Sequence, residues 1–334
     1  MKQARFWSSW ENDMVQCELC AHACMIAPGK SGICGVRENR GGILWLPWYG
    51  LLIANHRDPV EKKPLYHWYP KSFTWSIASP GCNFRCAFCQ NFEISMIQGR
   101  RAEPNAPTSS PEEVVEAAVQ AGCSSISYTY TEPTVFLEFS LDTAKVAKER
   151  GLKNLLITNG FFSPQALDAC LPLIDAVNID LKGDNAFYQK YCGGRLGPVL
   201  SSIEFFYKHK IWVEVTTLII PEETDGIVFE ELIKKFGSIA KDIPWHLSRF
   251  FPSYRMQKHA ITSPESILSL REKARKEGFL YVYTGNMPEE GGEDTICPEC
   301  GMLLISRHGY SVEIKGLEES ICKGCGKKIL GCFY

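Results

Sequence analysis

From about Phe73 to Thr284 the chain alternates short β-branched or aromatic runs with stretches of helical periodicity. That alternation is how repeated βα units around a parallel sheet read in sequence. The predicted strands are Phe73–Ala78, Ser125–Tyr130, Asn154–Thr158, Ala176–Asp180, Trp212–Ile219 and Trp245–Phe250, with Leu280–Tyr283 as a further edge. Six main strands predict an α/β fold built on an open, partial (β/α)6 barrel. The first interior helix is marked at both ends. Ser110 can cap it, Pro111 suits its first position, Glu112 and Glu113 favour its positive end, and Gly122 stops it. Ser163-Pro164 and Ser263-Pro264 repeat that punctuation, while Arg101 to Ser110, with Pro104 and Pro107, is expected to be a surface connection.

In such a barrel the loops after the strands form the active face. The loop after Phe73–Ala78 carries Gly81-Cys82-Asn83-Phe84-Arg85-Cys86-Ala87-Phe88-Cys89. Three thiolates on a four-iron cluster leave one iron open to a substrate or cofactor, whereas four thiolates close a cluster for electron transfer or structure. The other loops supply Glu132 in Tyr130-Thr131-Glu132-Pro133, Asn159 in Thr158-Asn159-Gly160, and Asp180 and Lys182 in Asp180-Leu181-Lys182-Gly183. Alternation along Trp245–Phe250 sends His246, Ser248 and Phe250 to one face and Arg249 to the other. If that face is the lumen, His246 and Ser248 line the pocket; a satisfied core histidine is the competing reading. Ordinary strand-end capping competes for Asn159, Asp180 and Lys182. Cys192, in the turn Tyr191-Cys192-Gly193-Gly194, is read as a small buried hydrophobe ahead of a hydrogen-atom donor.

The chain has 334 residues, 15 cysteines and a formal net charge of −2. It holds no run of roughly eighteen apolar residues that would span a membrane, and its start lacks a secretory pattern. A cytoplasmic location is therefore expected, and cysteines there point to metals rather than disulfides. The mixed charge gives no nucleic-acid footprint.

Eleven of the cysteines fall in three clusters. Cys297-x2-Cys300 and Cys322-x2-Cys325, each followed by glycine, have the form of a zinc ribbon with a closed shell of four thiolates. Cys17-x2-Cys20-x3-Cys24-x9-Cys34 suits zinc or an auxiliary cluster, with His22 as a spare nitrogen. The expected division is an N-terminal four-cysteine module and lead-in over 1–70, the barrel over 71–290, and the ribbon-like module over 291–334. Asp58, Glu61, Lys62, Lys63, Tyr66 and His67 precede the first strand as a polar lid or a solvated connection.

Cys-x3-Cys-x2-Cys with Phe88 before the last cysteine resembles the motif of radical S-adenosylmethionine (radical SAM) enzymes. More widely, Ala27–Asn39, Pro59–His67 and Ser248–Pro252 are similar to the radical SAM member of the AmmeMemoRadiSam system, in the pyruvate formate-lyase activating enzyme-like group. The resemblance implies a [4Fe-4S] cluster on Cys82, Cys86 and Cys89. It also implies S-adenosylmethionine (SAM) cleaved to a 5′-deoxyadenosyl radical, and an electron donor such as flavodoxin or ferredoxin. Glu132 stands where the family carries a Gly-Gly-Glu motif that meets the SAM amino group, although both glycines are missing here. Asn159, Asp180 and Lys182 resemble strand-end elements of glycyl-radical-enzyme activases that serve SAM or a cation beside it. The substrate, a protein or small molecule, is not fixed by the resemblance; RNA or lipid modification, or a metal-stabilised binding protein without turnover, remain alternatives.

Overall fold

The alternating runs form one eight-stranded sheet in the computed structural model, which describes residues 1–97, 106–287 and 291–334. Its strands in chain order are β1 (Ala54–Pro59), β2 (Phe73–Ala78), β3 (Ser125–Tyr128), β4 (Lys153–Thr158), β5 (Ala176–Asp180), β6 (Trp212–Ile219), β7 (Trp245–Arg249) and β8 (Val282–Gly285). Neighbours in sequence are neighbours in the sheet throughout. Strands β2 to β8 run parallel, and β1 joins β2 antiparallel, with Ala54 opposite Ala78 and Pro59 opposite Phe73.

Among the described residues, each crossover between successive parallel strands carries one helix of seven or more residues: α1 (Pro111–Gln120), α2 (Leu137–Glu149), α3 (Pro164–Cys170), α4 (Leu196–Lys208), α5 (Gly226–Gly237) and α6 (Pro264–Lys276). The (β/α)6 expectation therefore holds. A seventh parallel strand lies at one edge, and at the other lies β1, a polar strand within the stretch expected as lead-in. Ser110 and Glu113 cap α1 reciprocally, while the Ser163 and Ser263 hydroxyls accept from the amides of Ala166 and Ser266. The expected connection from Arg101 lies outside the described residues as far as position 105.

Burial explains the order of layers. Every residue of β3 is buried, as befits a parallel strand covered on both faces. Phe229, Leu232, Ile233 and Phe236 recur at helical spacing on α5 and are buried. Phe229 stacks on Trp245 at 5.0 Å and Phe236 meets its edge at 5.2 Å. Trp245 and Leu247 thus face the helices, which leaves His246 and Ser248 on the inner face as alternation predicts.

The segment from Pro64 to His67 plugs the inner face. The Glu214 carboxylate on β6 accepts from the amides of Tyr66 (3.0 Å) and His67 (2.8 Å), from Trp212 Nε1 (3.0 Å) and from His246 Nε2 (2.7 Å). Asn178 Nδ2 holds the Pro64 carbonyl at 2.7 Å. Asp58, Glu61, Lys63, Tyr66 and His67 are buried, so this stretch is neither a solvated connection nor a lid.

The N-terminal residues form two small three-stranded antiparallel sheets. Arg37 anchors them to α2 through a bidentate pair with Glu138, both bonds 2.9 Å and both residues buried. The C-terminal residues form a three-stranded sheet and a two-stranded one. Leu304, Ile305, Leu317, Ile329 and Phe333 pack there on Tyr66, Tyr281 and Tyr283. Arg307 spans that seam, donating to the carbonyls of Tyr66 (2.7 Å) and Glu293 (2.9 Å).

Candidate functional site

A cavity of about 250 Å³ opens at the C-terminal ends of the parallel strands. Every one of those strands contributes: Cys82 after β2, Glu132 after β3, Asn159 after β4, Asp180 and Lys182 from β5, Leu218 from β6, Ser248 from β7 and Asn286 after β8. One pocket lined from seven consecutive strands requires the sheet to curl around it.

The cysteine loop forms the near wall. Gly81 has φ +100°, and a Cβ there would stand 2.6 Å from Val36 Cγ1, so only glycine lets the chain turn out of β2 against the N-terminal module. Phe84 packs on Phe161 at 5.0 Å, and Gly194 lies so close that a Cβ would be 2.4 Å from its ring. The carbonyls of Cys192 and Tyr191 accept from the amides of Arg85 and Ala87, each at 2.8 Å, which pins the loop to the segment after β5. Phe88 packs on Phe187 at 5.6 Å.

The three thiols are supplied with donors that suit thiolates. Cys82 Sγ accepts from the Phe84 amide at 3.3 Å. Cys89 is met by the Asn91 amide and the Ser95 hydroxyl. Cys192 is fully buried and bonds to Cys86, pulling the Cys86 thiol down, while burial pushes Cys82, Cys89 and Cys192 up. Lys182 faces Cys86 and Cys192 and pairs with Asp180 at 2.8 Å. Burial disfavours its charge, yet Asp180 and the thiols outweigh that and hold its pKa well above the ordinary lysine value.

Glu132 occupies the opposite wall. Tyr130 turns the chain with φ 63°, and Pro133 starts a short 3₁₀ helix that Glu132 caps. Glu132 Oε1 accepts from the Thr134 amide (3.0 Å) and from the Thr134 and Thr158 hydroxyls (both 2.6 Å). Oε2 accepts from the Asn159 amide at 2.7 Å, which leaves lone-pair capacity on Oε2 for a ligand. Burial raises the pKa of this carboxyl despite those donors. Asn159 in turn donates to Asn83 Oδ1 at 2.7 Å and reaches within 4.0 Å of Cys82 Sγ.

Glu132, Asn159, Asp180 and Lys182 thus converge on the cavity that the cysteine loop borders. His246 does not line it. It sits deeper on the same face, held by Glu214 and stacked on Tyr283 at 5.2 Å, so the pocket-lining expectation holds for Ser248 and is corrected for His246. Alternation specifies the face of a strand and not the depth, so β7 puts one residue at the mouth and the other in the plug.

The family comparison is decided at this same loop. The Radical SAM superfamily model matches residues 76–234, from β2 and the cysteine triplet into α5. Residues 76–234 are a radical SAM domain. Members of this superfamily are enzymes that bind a [4Fe-4S] cluster and SAM and require an electron donor. The chain is 43% identical over 333 residues to the uncharacterised protein MJ0808 of Methanocaldococcus jannaschii, covering 98% of this chain and 99% of that one. It is 26% identical over 174 residues to MJ1227 of the same organism, which carries the provisional name of a glycyl-radical enzyme activating enzyme; the match covers 50% of this chain and 69% of that one. Among solved structures, a domain of pyruvate-formate lyase-activating enzyme from Bacteroides vulgatus superposes with a TM-score of 0.41 at 17% identity, over 48% of this chain and 99% of that domain.

Two residues that line this cavity escaped the sequence reading. Tyr130 lines the cavity and bonds through its hydroxyl to Asp58, whose other partners are Lys62 at 2.7 Å and Lys63 at 2.9 Å. Burial depresses Lys63 to about 8. Asn286 lines the pocket and donates to Ser248 at 2.9 Å. Asn83, next to Cys82 in sequence, holds the Asn159 amide at 2.7 Å through its side-chain oxygen. Asp58 and Lys63 were expected only as part of a polar lid or solvated connection, because their partner Tyr130 is far away in sequence.

The C-terminal thiols lie elsewhere. Cys297 and Cys325 stand 3.7 Å apart and Cys300 and Cys322 3.6 Å apart, and all four sulfurs fall within 4.8 Å of one another. Thiolates at about 2.3 Å from a tetrahedral ion are separated by about 3.8 Å, so this shell fits one metal ion. The module contributes no described residue to the cavity lining. No described helix is long and apolar enough to cross a membrane.

Proposed function

We propose that this chain uses Cys82, Cys86 and Cys89 to hold a [4Fe-4S] cluster with one open iron, binds SAM across the cavity, and abstracts a hydrogen atom from a substrate admitted at the strand ends. When bound, such a cluster supplies one electron to SAM and so releases the 5′-deoxyadenosyl radical. Glu132 Oε2 accepts from the SAM ammonium, and Asn159 holds Asn83 and the Cys82 side of the loop in place. Lys182 places a positive charge beside Cys86, within reach of the methionine carboxylate, while Asp180 keeps the lysine ammonium protonated. No side chain acts as a conventional acid or base; the wall positions the reactants and excludes water. Cys297, Cys300, Cys322 and Cys325 hold structural zinc.

One observation carries this reading. The cysteine loop, an incompletely satisfied carboxylate and a buried ammonium line one cavity at the active end of the sheet. The likeness to MJ1227 and the AmmeMemoRadiSam resemblance favour an activase-like abstraction from a protein or small-molecule substrate. A single-electron donor of the flavodoxin or ferredoxin type and a cytoplasmic setting belong to the same proposal.

The test is anaerobic reconstitution, reduction with dithionite in the presence of SAM, and assay of 5′-deoxyadenosine beside the Cys82→Ala/Cys86→Ala/Cys89→Ala variant. Deoxyadenosine from the wild type alone is expected. Its absence from wild-type protein whose reduced cluster is verified would sink the proposal in favour of a binding protein without turnover.

A further inference from the structure

The N-terminal cysteines do not have the geometry of the C-terminal ones. Cys17, Cys20, Cys24 and Cys34 all border one cavity, together with His22, Arg37 and Asn83. Among the described residues, the four C-terminal thiols are the only group of three or more ligand atoms within 4.8 Å of one another. Neither the N-terminal set nor the triplet Cys82, Cys86 and Cys89 meets that limit. Within one molecule, then, one cysteine set has the spacing of a single ion's shell, and the N-terminal set does not. A cluster spreads its thiolates over the corners of an iron–sulfur cube, so they stand farther apart than around one ion.

A second observation concerns donors. Arg37 and Asn83 are each 1% exposed, and both border the cavity. Arg37 Nε and Asn83 Nδ2 are buried without a hydrogen-bond partner, although the rest of each side chain is engaged: the Arg37 terminus by Glu138, and Asn83 Oδ1 by Asn159. Buried unpaired N–H groups cost about 1–3 kcal/mol each and call for an acceptor. Cluster sulfides and thiolates are such acceptors, presented on a body large enough to reach both sides of the cavity. Backbone amides already point at the sulfurs: His22 at Cys20, Ile33 at Cys24 and Val36 at Cys34. His22 also borders the cavity, with its Nε2 2.8 Å from the Asn83 carbonyl.

The two sites share a wall. Asn83 adjoins Cys82 and borders the N-terminal cavity, and the Cys34 carbonyl lies 3.2 Å from the position of a Cβ on Gly81. We propose that Cys17, Cys20, Cys24 and Cys34 hold a second [4Fe-4S] cluster, closed by four thiolates, that relays single electrons through the Asn83 wall to the Cys82 loop. A low-potential one-electron donor reduces the second cluster by one electron, and that electron passes to the first cluster; no bond is made or broken and no proton moves. The identity of the second cluster is independent of the proposed function, whereas the relay rests on it.

Metal and sulfide content of this chain, reconstituted anaerobically with ferrous iron and sulfide, tests the identity. About eight irons, eight acid-labile sulfides and one zinc per chain are expected, with about four irons kept by the Cys82→Ala/Cys86→Ala/Cys89→Ala variant and an electron paramagnetic resonance signal on its reduction. About four irons and two zincs in the wild type, or a triple variant devoid of iron, overturns the second cluster. The relay is read in Cys20→Ser/Cys24→Ser, verified to retain the first cluster. Deoxyadenosine formation driven by reduced ferredoxin should fall at least tenfold, while that driven by dithionite is kept. An unchanged ferredoxin-driven rate overturns the relay. Eight irons with no deoxyadenosine from either reductant overturns the proposed function and leaves the second cluster standing.

Discussion

Replacing Glu132 by Gln separates binding of SAM from maintenance of the wall. In the wild type Oε1 accepts three hydrogen bonds and Oε2 accepts one, from the Asn159 amide at 2.7 Å. A glutamine keeps one oxygen, which is best used against the three donors of Thr134 and Thr158. Its NH2 then faces the Asn159 N–H, and one buried donor loses its acceptor at a cost of about 1–3 kcal/mol in stability. The same NH2 meets an incoming ammonium as donor against donor, so a charge-assisted bond of about 1.5–3 kcal/mol is lost from binding. That corresponds to roughly a ten- to hundredfold rise in the Kd for SAM. Equilibrium dialysis of SAM against anaerobic, cluster-loaded protein measures the second quantity, and urea unfolding measures the first. Thr134→Val is the control: it removes one donor from Oε1, leaves Oε2 intact, and is expected to lower stability without changing the Kd. Wild-type affinity should also fall with decreasing pH as the carboxyl protonates, at a pH above the usual 4.5 because burial raises its pKa, and Glu132→Gln should lack that dependence. A stability loss with a Kd within about twofold of wild type would refute a ligand-binding role and leave Glu132 as a helix cap alone.

The other predictions concern the supports of the site. His67 is fully buried, and burial depresses its pKa from 6.5 to about 4. Between those values the unfolded chain binds a proton that the native state refuses, so its contribution is intact above pH 6.5 and is lost as pH falls to about 4. The loss amounts to about 3 kcal/mol, and the unfolding free energies of wild type and His67→Gln should converge by about that much over the window. A constant difference refutes it. Arg37→Met leaves the Glu138 carboxylate buried without its partner and should cost about 3–5 kcal/mol in urea unfolding; a loss under about 1 kcal/mol would show that the pair does not anchor the N-terminal module. Cys300→Ser/Cys325→Ser should remove about one zinc per chain and expose the C-terminal module to proteolysis while SAM affinity is kept, because that module lines none of the cavity. Unchanged zinc content would refute the assignment of that shell.

The parallel strands were legible because most of their residues are buried and each carries a short run rich in β-branched, aliphatic or aromatic residues, with Ser-Pro pairs marking where three of the helices begin. Strand β1 was not legible. Ala54-Asn55-His56-Arg57-Asp58-Pro59 has no apolar alternation, and it becomes a strand only through its register against β2. The site divides in the same way. The triplet, Glu132, Asn159, Asp180 and Lys182 are specified locally, since each follows a strand and a curled parallel sheet brings strand ends together. Tyr66 and His67 are buried by a carboxylate 148 and 147 positions away, a pairing that periodicity cannot signal. His246 shows the boundary most clearly: its face followed from alternation, and its depth depended on where Glu214 lay.

The three cysteine sets sharpen the same distinction. All contain short x2 or x3 spacings, and by spacing alone the N-terminal set suits an ion as well as a cluster. What separates them is the surface each is folded against. The C-terminal knuckles close on each other, and their sulfurs collapse to the 3.6–3.7 Å separation of a single ion's shell. The N-terminal set closes instead against the barrel, with Arg37 drawn to Glu138 on α2 and Asn83 drawn to Asn159 after β4. Those two anchors fix Arg37 and Asn83 at the cavity lining, each with one buried N–H that has no partner. If the proposed second cluster is held there, the choice between ion and cluster depends on residues outside the cysteine motif, so Glu138→Gln should lower the iron and raise the zinc bound by the N-terminal thiolates in metal analysis, and unchanged iron and zinc would refute that dependence.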